Sequence, residues 1–169
     1  VKHSNPRNIY MSTLEPADVD IMKATKTCMA AQRFQYDYLN DDIDDFGNID
    51  YNLTNKVPAG LRAAIAEGKK MLVLINPPYG ETGAGIGKGD QNKKKVEQTK
   101  INALMKTNET GYASKELFVQ FMVRIAKEIP TATITMFSKL KYVNAPNFDK
   151  FRETWNATYQ GGFLVHSKA

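Results

Sequence analysis

This sequence has a single cysteine, Cys28, and only two histidines, His3 and His166. One cysteine cannot close an internal disulfide, which excludes the disulfide-stapled class of small domains and favours a reducing, intracellular compartment. Two histidines so far apart in the sequence also argue against a metal site. The longest nearly apolar run, residues 71–75, is far shorter than the roughly 20 residues that a membrane-spanning helix needs. We therefore expect neither a metal nor a membrane to take part in the function.

Charge is distributed unevenly along the 169 residues. Hydrophobic residues make up 42% and charged residues 24%, an ordinary composition for one globular domain of this length. Residues 1–55 contain 5 Lys and Arg against 9 Asp and Glu, whereas residues 56–169 contain 18 against 9. The net charge of +5 thus combines an acidic first third with a basic remainder. Such a basic remainder is typical of proteins that bind a polyanion, although a solvated lysine face has the same composition.

Segments with the period of a strand alternate with segments that have the period of a helix. We expect strands over residues 7–13, 33–39, 71–75, 131–137 and 162–166, and the unbroken apolar run of 71–75 predicts a fully buried strand. We expect helices over residues 16–31, 58–68 and 148–155. A further helix is expected to begin at an N-cap at Ser114 and to end at residue 130. This alternation predicts an α/β fold with a mostly parallel sheet and flanking helices.

The tetrapeptide Asn76-Pro77-Pro78-Tyr79 directly follows the strand predicted over residues 71–75. In open α/β sheets, ligands bind at the carboxyl ends of the strands. The two prolines have no N–H group, so this stretch of backbone offers carbonyls that only accept hydrogen bonds. An amide side chain and a fixed carbonyl can together bind an exocyclic amine, while the aromatic ring stacks on its base. The alternative interpretation is a proline turn that has no further role.

This motif resembles the catalytic motif of S-adenosylmethionine-dependent DNA methyltransferases, in particular the N6-adenine enzymes of restriction–modification systems. The resemblance implies a Rossmann-like domain over residues 1–169, double-stranded DNA as partner, S-adenosylmethionine as methyl donor and a prokaryotic cytoplasm. It further implies a flipped-out adenine that donates to Asn76 and to the Pro77 carbonyl, next to Pro78, and that stacks on Tyr79. The alternatives are an RNA-amine or protein-glutamine methyltransferase, and a non-catalytic DNA-binding fragment.

Two acidic positions resemble the family's donor site. In this family an acidic residue at the end of the second strand binds the ribose of the donor, and Glu15 stands at that place. The third strand ends in an Asp near the adenine of the donor, where Asp37 matches and Asp41 competes for the role. Without a ligand, Glu15 would instead stabilise a helix N-terminus, and Asp37 would be a solvated acid at a strand end.

The sequence departs from the family before Glu15. The family's glycine-rich donor-binding motif lies about 20 residues before such an acid, whereas 14 residues precede Glu15 and none is a glycine. We therefore expect a partial methyltransferase domain, with the donor motif upstream and the last strand downstream missing. Such a chain would be inactive alone, would bind S-adenosylmethionine no better than millimolar, and would need other segments of its parent protein or restriction and specificity subunits. The strands before Glu15 and Asn76 would then either pair directly with each other or have the slot between them filled by another chain.

Residues 80–111 are rich in glycine and lysine and have little apolar periodicity, so we expect a flexible basic loop. We expect DNA phosphate contacts from four lysines of this loop, Lys88, Lys93, Lys94 and Lys95. Plain disorder is the alternative. The glycines of residues 83–89 lack the spacing of a P-loop, because Thr82 stands where the first glycine is required.

Overall fold

A computed structural model describes residues 5–26, 28–78, 98–108 and 110–165 of the chain. This part of the chain is a mixed α/β structure in which pairs of short parallel strands are joined by helices. The predicted alternation of strands and helices, with parallel pairing, is confirmed at this level. Within the described residues the strands form two separate pairs, and neither pair hydrogen-bonds to the other.

The first pair consists of β1 (Tyr10–Thr13) and β2 (Gln32–Gln35), which are connected by α1 (Pro16–Ala24). The prediction placed the end of this helix at residue 31, but it ends at Ala24. The reason is local: Lys26 and Cys28 both adopt left-handed backbone conformations, with φ of 53° and 47°, which an α-helix cannot continue.

The second pair consists of β3 (Leu72–Ile75) and β4 (Thr133–Met136), in register from the first residue to the last. The prediction that β3 is fully buried is wrong. Leu72 and Leu74 are each 70% exposed, whereas Val73 and Ile75 are half-buried. Only one face of this pair is covered by the rest of the described chain, and an unbroken apolar run does not distinguish one covered face from two.

Five further helices lie in the described residues: α2 (Ala59–Ala66), α3 (Lys100–Thr107), α4 (Leu117–Glu128), α5 (Lys141–Asn144) and α6 (Asp149–Thr154). The flexible loop expected over residues 80–111 is wrong for the part occupied by α3. Ile101, Leu104 and Met105 supply the i, i+3, i+4 spacing of a helix, and Ile101 and Met105 are completely buried.

Two other boundaries differ from the prediction. Ser114 does not cap α4, because it belongs to the 3₁₀ turn Gly111–Lys115 and its hydroxyl donates to the carbonyl of Gly111. The expected last strand is also absent from residues 162–165, whose backbone pairs with no strand of the described chain. Phe163 and Val165 there are about four-fifths exposed, at 81% and 80%.

The main hydrophobic core lies between α3, α4 and the segment that contains α6. Its buried members are Leu39, Ile43, Ile101, Met105, Ala113, Phe118, Val119, Met122, Phe148 and Phe151. Leu39 and Ile43 belong to the chain that follows β2. The end of the first strand pair is therefore anchored on the core, which fixes the position of the residues described next.

Candidate active site

The sequence-predicted site residues that the structure describes lie directly after parallel strands. Glu15 follows β1, Asp37 and Asp41 follow β2, and Asn76 follows β3. The backbone N–H of Tyr36 donates to the carbonyl of Thr13 at 2.8 Å, so the pairing of the first two strands reaches their carboxyl ends. Glu15 and Asp37 therefore share one edge of the first pair, and Asn76 lies at the corresponding edge of the second.

Glu15 is exposed and occupies the residue before α1, but its side chain makes no capping hydrogen bond to that helix. Asp18 supplies the negative charge in the first turn of α1, and its carboxylate accepts from the Thr13 hydroxyl at 2.8 Å. Glu15 therefore makes no capping hydrogen bond, but its charge does lie at the N-terminus of α1, as the alternative interpretation expects. Its carboxylate has no hydrogen-bond partner among the described residues and is available to a ligand.

Residues 36–42 form a tight turn that we call the acid turn. The Asp37 carboxylate accepts from the Leu39 backbone N–H at 3.2 Å and from the Asn40 amide at 2.9 Å. The Asp41 carboxylate accepts from the Asp37 backbone N–H at 2.9 Å and pairs with the Lys56 ammonium at 2.7 Å. Asp41 is thus neutralised by a cation and braces the turn, whereas Asp37 has only neutral partners. Of the two competing acids, Asp37 is better placed to bind a ligand.

The acid turn ends at Asp42, which is buried and has a left-handed backbone with φ of 56°. One oxygen of its carboxylate accepts from the backbone N–H and the hydroxyl of Thr54, at 2.9 and 2.8 Å. The other oxygen accepts from the Tyr36 hydroxyl at 3.0 Å. The first and last residues of the turn are therefore tied to each other.

A network of five side chains, which we call the buried network, connects the acid turn with α4. Arg124, Glu128 and Tyr36 are buried in it, and Tyr38 and Tyr51 are half-buried. Arg124 donates to the Glu128 carboxylate at 3.2 Å, and Tyr51 donates to the same carboxylate at 2.7 Å. Burial raises the pKa values of the three tyrosines above their usual range, so their hydroxyls stay protonated. Burial alone would lower the pKa of Arg124, but the adjacent carboxylate raises it, so the guanidinium keeps its charge.

The acid turn is also tied to the start of α3. The Asn40 side-chain oxygen accepts from the Lys100 backbone N–H at 3.0 Å, and the Leu39 carbonyl accepts from the Ile101 N–H at 3.4 Å. The Lys100 ammonium donates to the Ile43 carbonyl. The helix that was predicted to be loop thus helps to fix the turn.

At the end of β3, Asn76 is exposed, Pro77 is buried and Pro78 is exposed. The Asn76 amide has no hydrogen-bond partner within the part of the chain that the structure describes, so it is available to a ligand. The ring of Pro77 is buried and restricts the backbone directly after Asn76. Four predicted lysines, Lys88, Lys93, Lys94 and Lys95, and the motif residue Tyr79 lie outside the described residues.

Sequence reasoning missed the buried network. The sequence signal for it is a charged pair, Arg124 and Glu128, on the apolar stripe of α4. The two residues lie three and seven positions after Phe121, which places them on the same face of the helix, and they are spaced i, i+4. A charge on the buried stripe of a helix needs a partner of opposite charge or several hydrogen bonds. That requirement predicts a polar network, but the residues that meet it come from distant segments.

Two absences hold over residues 5–26, 28–78, 98–108 and 110–165. These residues bring together no group of three or more His, Cys, Asp or Glu side chains that could hold a metal ion. None of the helices within them has the length and apolar character that crossing a bilayer requires.

Comparisons of the chain with protein-family models, with curated proteins and with solved structures found no match. The functional conclusion therefore depends on the chemistry of the site itself.

Proposed function

We propose that these residues belong to an S-adenosylmethionine-dependent methyltransferase domain that acts on the N6 amine of adenine in DNA. The observation that carries the proposal is the position of Asn76-Pro77-Pro78 at the end of a strand of a parallel pair, with the Asn76 amide exposed and unpartnered among the described residues. A pair of acceptors at a strand end fits an amine ligand, because both hydrogens of an exocyclic amine need acceptors.

The chemistry follows from these two acceptors. The side-chain oxygen of Asn76 and the carbonyl of Pro77 would each accept one hydrogen of the N6 amine. Such bonds hold the amine in line with the methyl group and stabilise the positive charge that develops on the nitrogen. The donor supplies a methyl group on a sulfonium sulfur; the nitrogen lone pair forms the new bond to carbon while the sulfur–carbon bond breaks. The donor would leave as the neutral thioether, and the methylated nitrogen would release one proton to water.

The first strand pair would hold the methyl donor. Glu15, whose carboxylate has no hydrogen-bond partner among the described residues, suits the two ribose hydroxyls, since a carboxylate accepts two hydrogen bonds side by side. The Asp37 carboxylate lies at the end of the neighbouring strand and would accept from the adenine amine of the donor. Both acids are at the same edge, which is where nucleotides bind to open parallel sheets in Rossmann-like folds.

Polyanion binding agrees with the charge of the chain. Residues 56–169 contain 18 Lys and Arg against 9 Asp and Glu. Long-range attraction to a phosphate backbone would bring DNA to the basic residues 56–169, which include Asn76. The acidic residues 1–55, which contain the donor-site acids, would stay away from the phosphates.

The test is methyl transfer from tritiated donor by the protein at its full natural length, with Asn76→Ala compared to wild type. Losing one positioned acceptor should lower the chemical rate by about 100-fold or more, with DNA affinity nearly unchanged. Asn147→Ala, at an exposed asparagine in the 3₁₀ turn Pro146–Phe148, is the matched control and should be fully active.

The substrates are duplex DNA, single-stranded RNA and a glutamine-containing peptide, each offered separately. We expect label on N6 of adenine in the duplex. Wild-type turnover by Asn76→Ala would contradict the assigned role of the motif. Label appearing only in RNA or in the peptide would contradict the proposed substrate.

A further inference from the structure

A fully buried guanidinium lies beneath the acid turn and contacts it on both sides of Asp37. Arg124 donates to the Tyr36 hydroxyl at 2.9 Å and to the Asp41 carbonyl at 3.0 Å. Its guanidinium carbon also lies 5.1 Å from the centroid of the Tyr38 ring, within the range of a cation–π contact. One side chain thus contacts the residue before Asp37, the residue after it and Asp41, the residue before the end of the turn.

Packing alone does not explain this arginine. Its exposed fraction is 0%, and its charge is balanced by Glu128, whose side chain is only 3% exposed. Removing both charges from water is costly, and apolar side chains of similar volume often fill such a space at no loss of stability. What apolar side chains cannot do is donate to a backbone carbonyl and a hydroxyl at fixed positions.

We propose that Arg124 is a positioning residue for the methyl donor: it acts through the acid turn and sets the direction of the Asp37 carboxylate. This inference rests on the proposed function, which assigns Asp37 to the donor. The mechanical link is short. The Asp41 N–H donates to the Asp37 carbonyl at 2.8 Å, and the Asp41 carboxylate accepts from the Asp37 N–H at 2.9 Å. A shift of Asp41 therefore moves both polar groups of the Asp37 backbone.

The test variant is Arg124→Met combined with Glu128→Leu, because removing the arginine alone would leave a buried carboxylate without its partner. The matched control is Arg33→Met. Arg33 likewise donates to backbone carbonyls, those of Met22 at 3.0 Å and Met29 at 2.8 Å, but at the turn after α1 rather than at the acid turn. Tyr36→Phe is the second variant: it leaves the ion pair in place and removes the hydroxyl that accepts from Arg124 and donates to Asp42.

Two measurements on the ¹⁵N-labelled protein at its full natural length separate this inference from the proposed function. The first is amide hydrogen exchange without any ligand, at Asp37 and Asp41 and at β4 as an internal reference. The second is a titration with S-adenosylhomocysteine, the product form of the donor, followed by amide shifts and extended to millimolar concentration. Folding of each variant is checked from the dispersion of its spectrum and its unfolding midpoint.

We expect the double variant to stay folded, to exchange at Asp37 and Asp41 at least about tenfold faster, and to bind the probe at least about tenfold more weakly. Tyr36→Phe should change both quantities in the same direction by less, and Arg33→Met should change neither. Unchanged exchange in the acid turn, or faster exchange with unchanged probe affinity, would overturn the inference. No probe-dependent shifts in the wild type would overturn the donor assignment of the proposed function, while the exchange result still reports on Arg124 by itself.

Discussion

The carboxylate of Asp42 offers a sharp test of how the acid turn is held together. Its side chain is 1% exposed and accepts three hydrogen bonds, two from Thr54 and one from the Tyr36 hydroxyl. Its backbone also has φ of 56°, a left-handed conformation that asparagine and glycine tolerate better than alanine does. We therefore compare the variants Asp42→Ala, Asp42→Gly and Asp42→Asn.

The expected loss differs among the three variants. Hydrogen bonds to a charged group contribute about 1.5–3 kcal/mol each, and a donor left unsatisfied in the interior costs about as much. Asp42→Ala should therefore lower the free energy of unfolding by about 5 kcal/mol or more, which includes about 1 kcal/mol for the left-handed backbone. Asp42→Gly avoids the backbone term, so it should be less harmful than alanine by up to about 1 kcal/mol.

Asp42→Asn should be the mildest of the three, at about 1 kcal/mol. Its side-chain oxygen can still accept both bonds from Thr54, and asparagine tolerates the left-handed conformation. The Tyr36 hydroxyl, which then faces an amide, has the Asp41 carbonyl at 3.4 Å as a second acceptor. The order of stability should be wild type, asparagine, glycine, alanine.

The assay is urea unfolding followed by circular dichroism, with stability read from the midpoint at an unchanged slope. Asp45→Ala is the control, because Asp45 is an exposed acid in the same segment and should change stability by no more than about 0.5 kcal/mol. If Asp42→Ala unfolded within about 1 kcal/mol of the wild type, the three hydrogen bonds would not hold the turn. If alanine were more stable than glycine, the argument from backbone conformation would be wrong.

Three further results are expected. Replacing residues 93–95 with alanine should lower the salt slope of log DNA affinity by roughly 3, equally on specific and random duplexes, as filter binding across a salt series would show; an unchanged slope would leave the lysines without phosphate contacts. The three tyrosines of the buried network, out of eight in the chain, should ionise only as the protein unfolds, because burial raises their pKa values. The unfolded chain releases these protons near pH 10, so the free energy of unfolding should keep its full value below about pH 10 and fall above it. Phenolate absorbance that developed fully before unfolding would contradict this prediction. Phe118→Ala should cost about 3–5 kcal/mol, and Leu72→Ala, at a 70% exposed side chain, should cost no more than about 0.5 kcal/mol in the same urea assay.

Local patterns in the sequence predicted most of the elements. The helix predicted over residues 58–68 is α2, and the helix predicted over residues 148–155 is α6. The strands predicted over 71–75 and 131–137 are β3 and β4, which pair in parallel. Each of these segments has either a clear period or, at residues 71–75, an unbroken apolar run, and each ends at proline, glycine or a polar cluster, so neighbouring residues alone specify the element.

Prediction failed where the structure depends on distant residues. The helix α3 lies within a segment whose glycine and lysine content indicated a loop, and it is held by contacts of Ile101 and Met105 with the core. The exposure of Leu72 and Leu74 depends on what covers the other face of β3, which the apolar run does not encode. Tertiary contacts decide whether α3 forms and which face of β3 is covered. A single sequence does not show which distant residues make those contacts.

The choice between Asp37 and Asp41 shows the same limit at the scale of a site. The two acids are four residues apart, carry the same charge and follow the same strand, so only the family resemblance placed Asp37 before its competitor Asp41. Lys56 distinguishes the two acids, because its ammonium lies 2.7 Å from the Asp41 carboxylate and forms an ion pair with it. Asp37 accepts only from neutral donors and keeps an uncompensated charge at the strand end. A carboxylate without a cationic partner can attract a positively polarised group of a ligand directly. A carboxylate already paired with a lysine must first break that ion pair.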